Sequence, residues 1–221
     1  LELTLPDSEM TFALGIDFFG KAFVSGAEGL RLQVDAMDGF FGGHLSWSGE
    51  TGLGQLSGRL RILHQSAHFV DGHYDARQGG WIDSRAPIPF TRDFGELTLG
   101  QSLLHSSGSA RYYGGFSYAT LVRPTEVERL ACFGGIEITF DKLVGSVLDK
   151  PSHLYCAYHI SLNGTPVYAA SHQVQAGIKF GEWSGRGVDF YVAFYDGRQL
   201  FGEYYNERVS TLGAGFMVDF F

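Results

Sequence analysis

The chain contains the stretch Thr211-Leu-Gly-Ala-Gly-Phe-Met-Val-Asp-Phe-Phe221, in which apolar side chains alternate with small or polar ones. Successive side chains of an extended strand point to opposite faces. One face would carry Leu212, Ala214, Phe216, Val218 and Phe220. The other would carry Thr211, Gly213, Gly215, Met217 and Asp219. The alternation therefore predicts a β-strand with one entirely apolar face, ending on two aromatic residues.

The composition narrows the class of protein to which such a strand belongs. Only 18% of the 221 residues are charged, which is low for a soluble domain. No run approaches the roughly 20 consecutive apolar residues that a membrane helix needs, and a closed β-barrel is the other structure that satisfies every backbone group in lipid. The formal net charge of −8 argues against nucleic acid as a partner.

The same alternation recurs along the whole sequence in segments near the length of about 9–11 residues that a tilted membrane strand needs. Ten segments follow it: 10–19, 30–47, 55–68, 93–104, 110–121, 128–140, 154–163, 173–182, 188–195 and 211–221. No linker divides them. We therefore expect an all-β fold with a single domain over residues 1–221, a transmembrane antiparallel up-and-down β-barrel of about ten strands. Counts of about eight to twelve also fit, because such patterns place strand boundaries loosely.

The second face of these segments carries charges of both signs. They are Asp17, Arg31, Asp35, Arg59, Arg61, Glu96, Arg111, Glu137, Lys179, Asp189 and Asp219. In a soluble β-sandwich, the alternative fold, this face would meet bulk water, whereas in a barrel it lines the lumen. Mixed charges suit a small lumen plugged by ion pairs. The apolar face is large and aromatic, with Tyr112 and Tyr118 expected at the height of an aromatic girdle. Both features favour the barrel.

The terminal aromatic residue resembles the signal that the assembly machinery of bacterial outer-membrane β-barrels reads. We therefore expect the bacterial outer membrane, and we treat the chain as mature or trimmed because it shows no signal peptide. Closure places both termini in the periplasm, so the connections 68–93 and 196–209 are expected outside, with short inner turns at 48–54 and 183–187. Cys132 and Cys156 are expected at different heights on the apolar face, as free thiols.

The third segment places polar residues on the apolar face. Arg59 and Arg61 mark its inner face, so His64, Ser66 and His68 continue the outer row that runs through Ile62. A His and a Ser two positions apart on one strand face point the same way, as the base and nucleophile of an acyl hydrolase do. The pattern predicts Ser66 as the nucleophile and His64 as its base. The alternative is an interfacial cluster of these polar residues that binds lipid headgroups or holds the following loop.

An acidic group would be needed to orient the imidazole. Asp93 continues the apolar row of the fourth segment upward and is the best-placed carboxylate, while Asp83 in the preceding loop is the weaker candidate. The pattern therefore predicts a site of His64, Ser66 and Asp93.

Two resemblances bear on this site. His64-Gln65-Ser66 resembles the His-x-Ser motif of outer-membrane phospholipase A and of the lipid A deacylase PagL, which are barrels that cut acyl chains at their lipid-facing surface. A longer resemblance joins residues 64–68 (His-Gln-Ser-Ala-His), 111–116 (Arg-Tyr-Tyr-Gly-Gly-Phe) and 194–205 (Phe-Tyr-Asp-Gly-Arg-Gln-Leu-Phe-Gly-Glu-Tyr-Tyr), with Arg208-Val209 and Gly213-Ala-Gly215. Together these segments are similar to a family of bacterial outer-membrane proteins known only as a domain of unknown function. This resemblance implies the barrel and its membrane but no established activity.

A second group of polar residues follows in the long loop. His68, Asp71, His73 and Asp75 combine imidazoles and carboxylates that could bind Ca²⁺ or a transition metal. The alternative is an ordinary solvated loop. No phosphate-binding glycine-rich loop is present, so no cofactor is expected beyond that Ca²⁺.

These patterns leave three functions open. The first is hydrolysis of acyl esters in outer-leaflet lipid. The second is a non-enzymatic structural or interaction barrel that presents the loops 68–93 and 196–209 to a protein partner or to lipopolysaccharide. The third is a narrow channel, suggested by a charged row on the inner face: Arg59, Arg61, Glu96, Arg111 and Glu137. The expected partner is therefore outer-membrane lipid or lipopolysaccharide, with a protein partner as a further alternative.

Overall fold

The chain folds into strands, as a computed structural model that describes residues 2–4, 10–27, 31–68, 74–84, 86–141, 143–147 and 149–220. The described part forms ten long strands: β1 (Met10–Ala27), β2 (Arg31–Thr51), β3 (Gly54–His68), β4 (Thr91–His105), β5 (Gly108–Arg123), β6 (Leu130–Phe140), β7 (Lys150–Gly164), β8 (Tyr168–Gly181), β9 (Gly187–Arg198) and β10 (Arg208–Asp219). Shorter elements accompany them: strands Glu2–Thr4, Tyr74–Asp75, Gly80–Trp81 and Ser146–Val147, and 3₁₀ turns Ile82–Ser84 and Gly202–Tyr204. None of the helical turns in the described residues is long and apolar enough to cross a membrane.

The ten long strands form one antiparallel up-and-down sheet. Each pairs with the next along the chain, and the sheet curls into a half-barrel, so that residues of β1 and β9 line one cavity. Within the described residues no ladder joins β1 to β10. The predicted all-β, antiparallel up-and-down fold and its ten strands are confirmed. The predicted boundaries were too short at several ends; β1, for example, continues beyond the expected residue 19 as far as Ala27.

The two faces of the sheet differ as the alternation predicts. The outer face exposes large apolar side chains, including Ile16 (81% exposed), Phe18 (84%), Ile62 (71%) and Leu212 (80%). The inner face carries the charged residues, and several of them form ion pairs: Arg61 with Asp17 and Glu96, Arg111 with Glu137, and Lys179 with Asp219. Part of the inner face is thus a network of paired charges.

One end of the sheet collects five connections, those after β1, β3, β5, β7 and β9, and we call it the loop end. The connection at residues 199–207, here the mouth segment, folds inward: the Gly202 amide donates to Asp38 Oδ2 at 3.1 Å, and Phe201 stacks on Phe23 with ring centroids 5.5 Å apart. A buried apolar cluster lies beneath it, consisting of Leu63, Phe90, Phe94, Ala119, Val122, Val127 and Tyr205. The mouth segment therefore packs against the inside of the curled sheet at this end.

The two cysteines are exposed and free, as predicted. On the paired strands, Cys132 lies opposite Leu162, whereas Cys156 lies opposite Ile138. Ile138 is six positions beyond Cys132, which separates the two thiols by about 20 Å along the strands at roughly 3.3 Å per residue. A disulfide between them is excluded by that separation.

Candidate functional site

The candidate site lies where β3 reaches the loop end. His64, Ser66 and His68 lie on the outer face, while Leu63 and Gln65 point inward and are buried. Inside the sheet, the Gln65 amide donates to Asp38 Oδ2 at 2.8 Å, and Gln65 Oε1 accepts from Arg92 Nε at 2.7 Å. A one-residue slip would turn every side chain of β3 to the wrong face and break this buried network. The register that holds the three polar residues outward is therefore well determined.

Ser66 is hydrogen-bonded to a histidine, but not to the one predicted. Its Oγ lies 2.9 Å from Nε2 of His68. The hydrogen bonds of the described residues include none between Ser66 and His64, so the predicted His64–Ser66 contact is wrong in this structure. Ser66 lies between the two histidines on one strand face, and its hydroxyl is bonded to His68. His64 is held by a different partner.

That partner is Asp93, the carboxylate proposed from the sequence. His64 and Asp93 are paired in register between β3 and β4, and His64 Nδ1 lies 2.6 Å from Asp93 Oδ1. Both side chains are about half exposed, at 49% and 47%. The β3–β4 ladder runs without a break through this pair, whereas on the other side of β4 the register shifts at Thr120, an extra residue of β5 opposite Asp93 and Phe94. The structure thus brings all the predicted residues together, but as two pairs, Ser66–His68 and His64–Asp93. We call these four residues the outer cluster.

The outer cluster has the parts of a nucleophile and a base. A serine hydroxyl hydrogen-bonded to an imidazole nitrogen can lose its proton to that nitrogen as it attacks a carbonyl carbon. The second imidazole is oriented by a carboxylate, which is the supporting half of a Ser-His-Asp triad. Here the carboxylate of Asp93 orients His64, whereas the histidine bonded to Ser66 is His68.

A second polar group lies on the outer face at the loop end, on the far side of the sheet. The Tyr158 hydroxyl lies 2.8 Å from His172 Nδ1, and their rings stack with centroids 6.2 Å apart. Asp196, paired in register with His172, forms an ion pair with Arg208. The sequence contains the signal for this group, since His172 and Asp196 continue the apolar rows of β8 and β9, but the prediction overlooked it.

The predicted metal-binding stretch is only partly described. Asp71 and His73 lie outside the described residues, as does the side chain of Asp83. Asp75 Oδ1 accepts the Arg77 amide at 2.8 Å in a local turn, and His68 is bonded to Ser66. Within the part of the chain that the structure describes, no group of three or more His, Cys, Asp or Glu side chains could hold a metal ion. Metal binding by the whole stretch stays a prediction.

Comparison with known proteins places the chain in a family. The family model described as "Protein of unknown function (DUF1207)" matches residues 38–220, which include every residue of the outer cluster. Neither the curated proteins nor the solved structures contain a match to the chain. The three-residue resemblance to outer-membrane phospholipase A and PagL therefore gains no support, whereas the resemblance to a domain of unknown function does. The chain belongs to the DUF1207 family.

Proposed function

We propose that this protein is a membrane-spanning β-barrel of the bacterial outer membrane. The support is the contrast between its faces: large apolar side chains are exposed on the outer face, whereas the inner face is charged and several of its charges form ion pairs with one another. A soluble protein seldom exposes so continuous an apolar surface, whereas a barrel in lipid needs one. The purified protein should require detergent and show heat-modifiable gel mobility. A monodisperse, detergent-free preparation would contradict the proposal.

The outer cluster would lie at the border of the membrane. On β3 the exposed apolar row runs from Leu56 through Leu60 to Ile62, and His64 follows directly. At roughly 3.3 Å per residue this row is about 20 Å long, which at the usual strand tilt of about 40° covers about 15 Å of the roughly 25 Å apolar band on membrane barrels. Since the cluster is at the loop end, it would face the headgroups and acyl-ester bonds of the outer leaflet.

At that height we propose that the outer cluster hydrolyses acyl esters of outer-leaflet lipid. The observation that carries this proposal is the 2.9 Å contact between Ser66 Oγ and His68 Nε2. Ser66 Oγ would attack the ester carbonyl carbon as its proton passes to His68. The lipid alkoxide would leave with that proton, giving an acyl-serine and a lysolipid. Water, giving a proton to His68, would then cleave the acyl-serine and release the fatty acid.

Release of fatty acid from vesicles tests this activity. Wild-type protein in vesicles of ester-linked phospholipid should release fatty acid, whereas ether-linked phospholipid should give none. Ser66→Ala should abolish the release. Ser210→Ala provides the matched control, because Ser210 is likewise an outward-facing serine of a strand at the loop end. An inactive wild type, or an active Ser66→Ala variant, would contradict hydrolysis.

A second candidate function is non-enzymatic binding of lipid headgroups or lipopolysaccharide at the same height. It is favoured by the second polar group on the outer face, which consists of Tyr158, His172, Asp196 and Arg208. Polar and aromatic groups that recur around the outer face at the loop end are typical of a belt at the membrane–water interface. If this function is correct, the wild type releases no fatty acid, and His64→Ala and Arg208→Ala both weaken binding to vesicles that contain lipopolysaccharide. Unchanged binding in both variants would exclude headgroup binding by these two polar groups.

A further inference from the structure

A separate cavity lies inside the curled sheet at the loop end. Its volume is about 390 Å³, within the usual range for small-molecule sites. Residues of β1, β3, β4, β6, β7, β8 and β9 form its walls, and Phe201 and Gly202 of the mouth segment contribute to its lining. The sheet itself separates this cavity from the outer cluster. The cavity therefore faces neither the lipid ester bonds nor Ser66.

The charges that line this cavity are unbalanced. Lys21, Arg92, Arg129 and Arg198 supply four cations, against the single carboxylate of Glu128. The whole chain, in contrast, has a formal net charge of −8. Among the residues that the structure describes, none of these four cations lies within ion-pair distance of a carboxylate. Deeper in the sheet the cations are paired, as with Arg61, Arg111 and Lys179. Lys21 and Arg92 also lie within electrostatic range of the buried Asp38 carboxylate, which is not part of the lining. The cavity therefore carries an excess of positive charge that the protein offsets only in part.

Neutral acceptors hold these guanidinium groups in place. Arg92 Nε donates to Gln65 Oε1 at 2.7 Å, and Arg129 Nη1 donates to the Thr120 carbonyl at 2.8 Å. Arg198 Nη1 donates to the carbonyl of Asn206 at 2.9 Å, and its buried Nε has no hydrogen-bond partner. Because each guanidinium has five N–H donors, these bonds fix the groups while leaving donors for a ligand.

We propose that this cavity binds a small phosphorylated molecule, a phosphomonoester that also carries hydroxyl groups. Arginine pairs with phosphate through two parallel hydrogen bonds, and a dianion would balance the excess positive charge. Ser161, Asn163 and Gln173, which also line the cavity, offer hydroxyl and amide groups suited to ligand hydroxyls. The shared chemistry is the phosphate group, which either a free metabolite or a lipid headgroup can supply.

Calorimetry on the full chain in a neutral detergent tests this site. The probes are glucose 6-phosphate, inorganic phosphate and glucose. We expect glucose 6-phosphate to bind most tightly and glucose not to bind. Lys21→Gln and Arg198→Gln should each weaken binding of glucose 6-phosphate by about tenfold, as expected for one charge-assisted hydrogen bond. Arg186→Gln is the matched control, because Arg186 is an exposed arginine in the turn at the other end of the sheet.

The outcomes separate the alternatives. If phosphatidylglycerol micelles displace glucose 6-phosphate, the phosphate of the natural ligand belongs to a lipid headgroup. If they do not displace it, the ligand is a free phosphorylated molecule. If Arg198→Gln loses heat-modifiable mobility, it has failed to fold. The affinities of Arg198→Lys and Lys21→Gln for glucose 6-phosphate then test the proposal. The proposal is overturned if no phosphate probe binds, if Lys21→Gln and the Arg198 variant leave affinity unchanged, or if Arg186→Gln weakens binding equally.

Discussion

Ser66 Oγ lies 2.9 Å from His68 Nε2, on the outward face of β3. The other histidine on this face, His64, is bonded instead to Asp93 at 2.6 Å. The two histidines therefore occupy different environments although they flank the same serine. Their substitution should have different consequences.

The first prediction separates these two histidines. If His68 is the base, His68→Gln should lower the rate of fatty acid release by a factor of about 10²–10⁴, the usual contribution of a general base. His64→Gln should lower it by a smaller factor, because His64 has no bond to Ser66. The initial rate at saturating ester-linked lipid measures both. If His64→Gln lowers the rate of fatty acid release more than His68→Gln does, the base is His64, as the sequence predicts.

The second prediction concerns the inner ion pairs. Arg61 lies between Asp17 (Nε to Oδ2, 3.3 Å) and Glu96 (Nη1 to Oε1, 3.7 Å). Arg61→Gln would leave Glu96 without this ion-pair partner and Asp17 with His44 alone, and we expect a loss of about 1–3 kcal/mol in the free energy of unfolding because the group is partly buried. Urea unfolding followed by heat-modifiable mobility measures it, with the exposed Arg186→Gln as the control. A loss no larger than the control's would show that the network contributes little.

The third prediction concerns the packing of the mouth segment. A Cβ added at Gly202 would lie 2.5 Å from Phe90 Cδ1 and 3.2 Å from Ala67 Cβ, so Gly202→Ala should destabilise its packing by about 1–3 kcal/mol. Hydrogen exchange of residues 199–207 should become faster. Gly213→Ala is the matched control, because a Cβ there meets nothing within 4 Å. Unchanged exchange in Gly202→Ala would mean that the segment is not packed as described.

The same variant tests the channel. With the mouth segment in place and the inner charges paired, the wild type should be silent in planar bilayers. Gly202→Ala should produce intermittent conductance. Conductance steps in the wild type that disappear in Arg61→Gln would favour the channel instead.

The fourth prediction is a pH dependence of the mouth segment. Burial, aided by the nearby Asp38 carboxylate, raises the pKa of Glu203 from 4.5 to about 7. The Glu203 carboxyl therefore keeps its proton when the segment is packed and loses it when the segment is released. The packing is strongest at low pH and weakens as the pH rises from about 4.5 through 7. Glu203→Gln should remove this dependence and slow hydrogen exchange of residues 199–207 at pH values above that range. Equal pH dependence in both proteins would exclude Glu203 as its source.

Much of the fold follows from the sequence because the two faces of each strand have different chemistry. Alternation with a period of two assigns the outer and inner faces, and it carries Asp93 correctly to the side of His64. The ends of the strands are harder to predict from the sequence, because the strands extend beyond the segments that the alternation marks. Ser66 bonds to His68 and not to His64 because of the side-chain rotamers and because Asp93 competes for His64. Alternation assigns a side chain to a face of the strand but gives no information on either factor.

The interior of the loop end could not be predicted at all. Its central contact joins the Gly202 amide to Asp38, across 164 positions of the sequence. Nothing in the local pattern around Gly202 indicates that the hairpin folds inward instead of extending the strands. The cluster of cations in the cavity has the same origin. Lys21, Arg92 and Arg198 come from distant strands and meet only because the sheet curls.

The most direct test of the account is the location of the outer face relative to lipid. Cys132 and Cys156 are exposed on that face, and each can carry a fluorophore once the other is changed to Ala. In vesicles, brominated acyl chains should quench both fluorophores while aqueous iodide leaves them bright. Strong quenching by iodide with none by brominated lipid would place this face in water and contradict the membrane-spanning barrel.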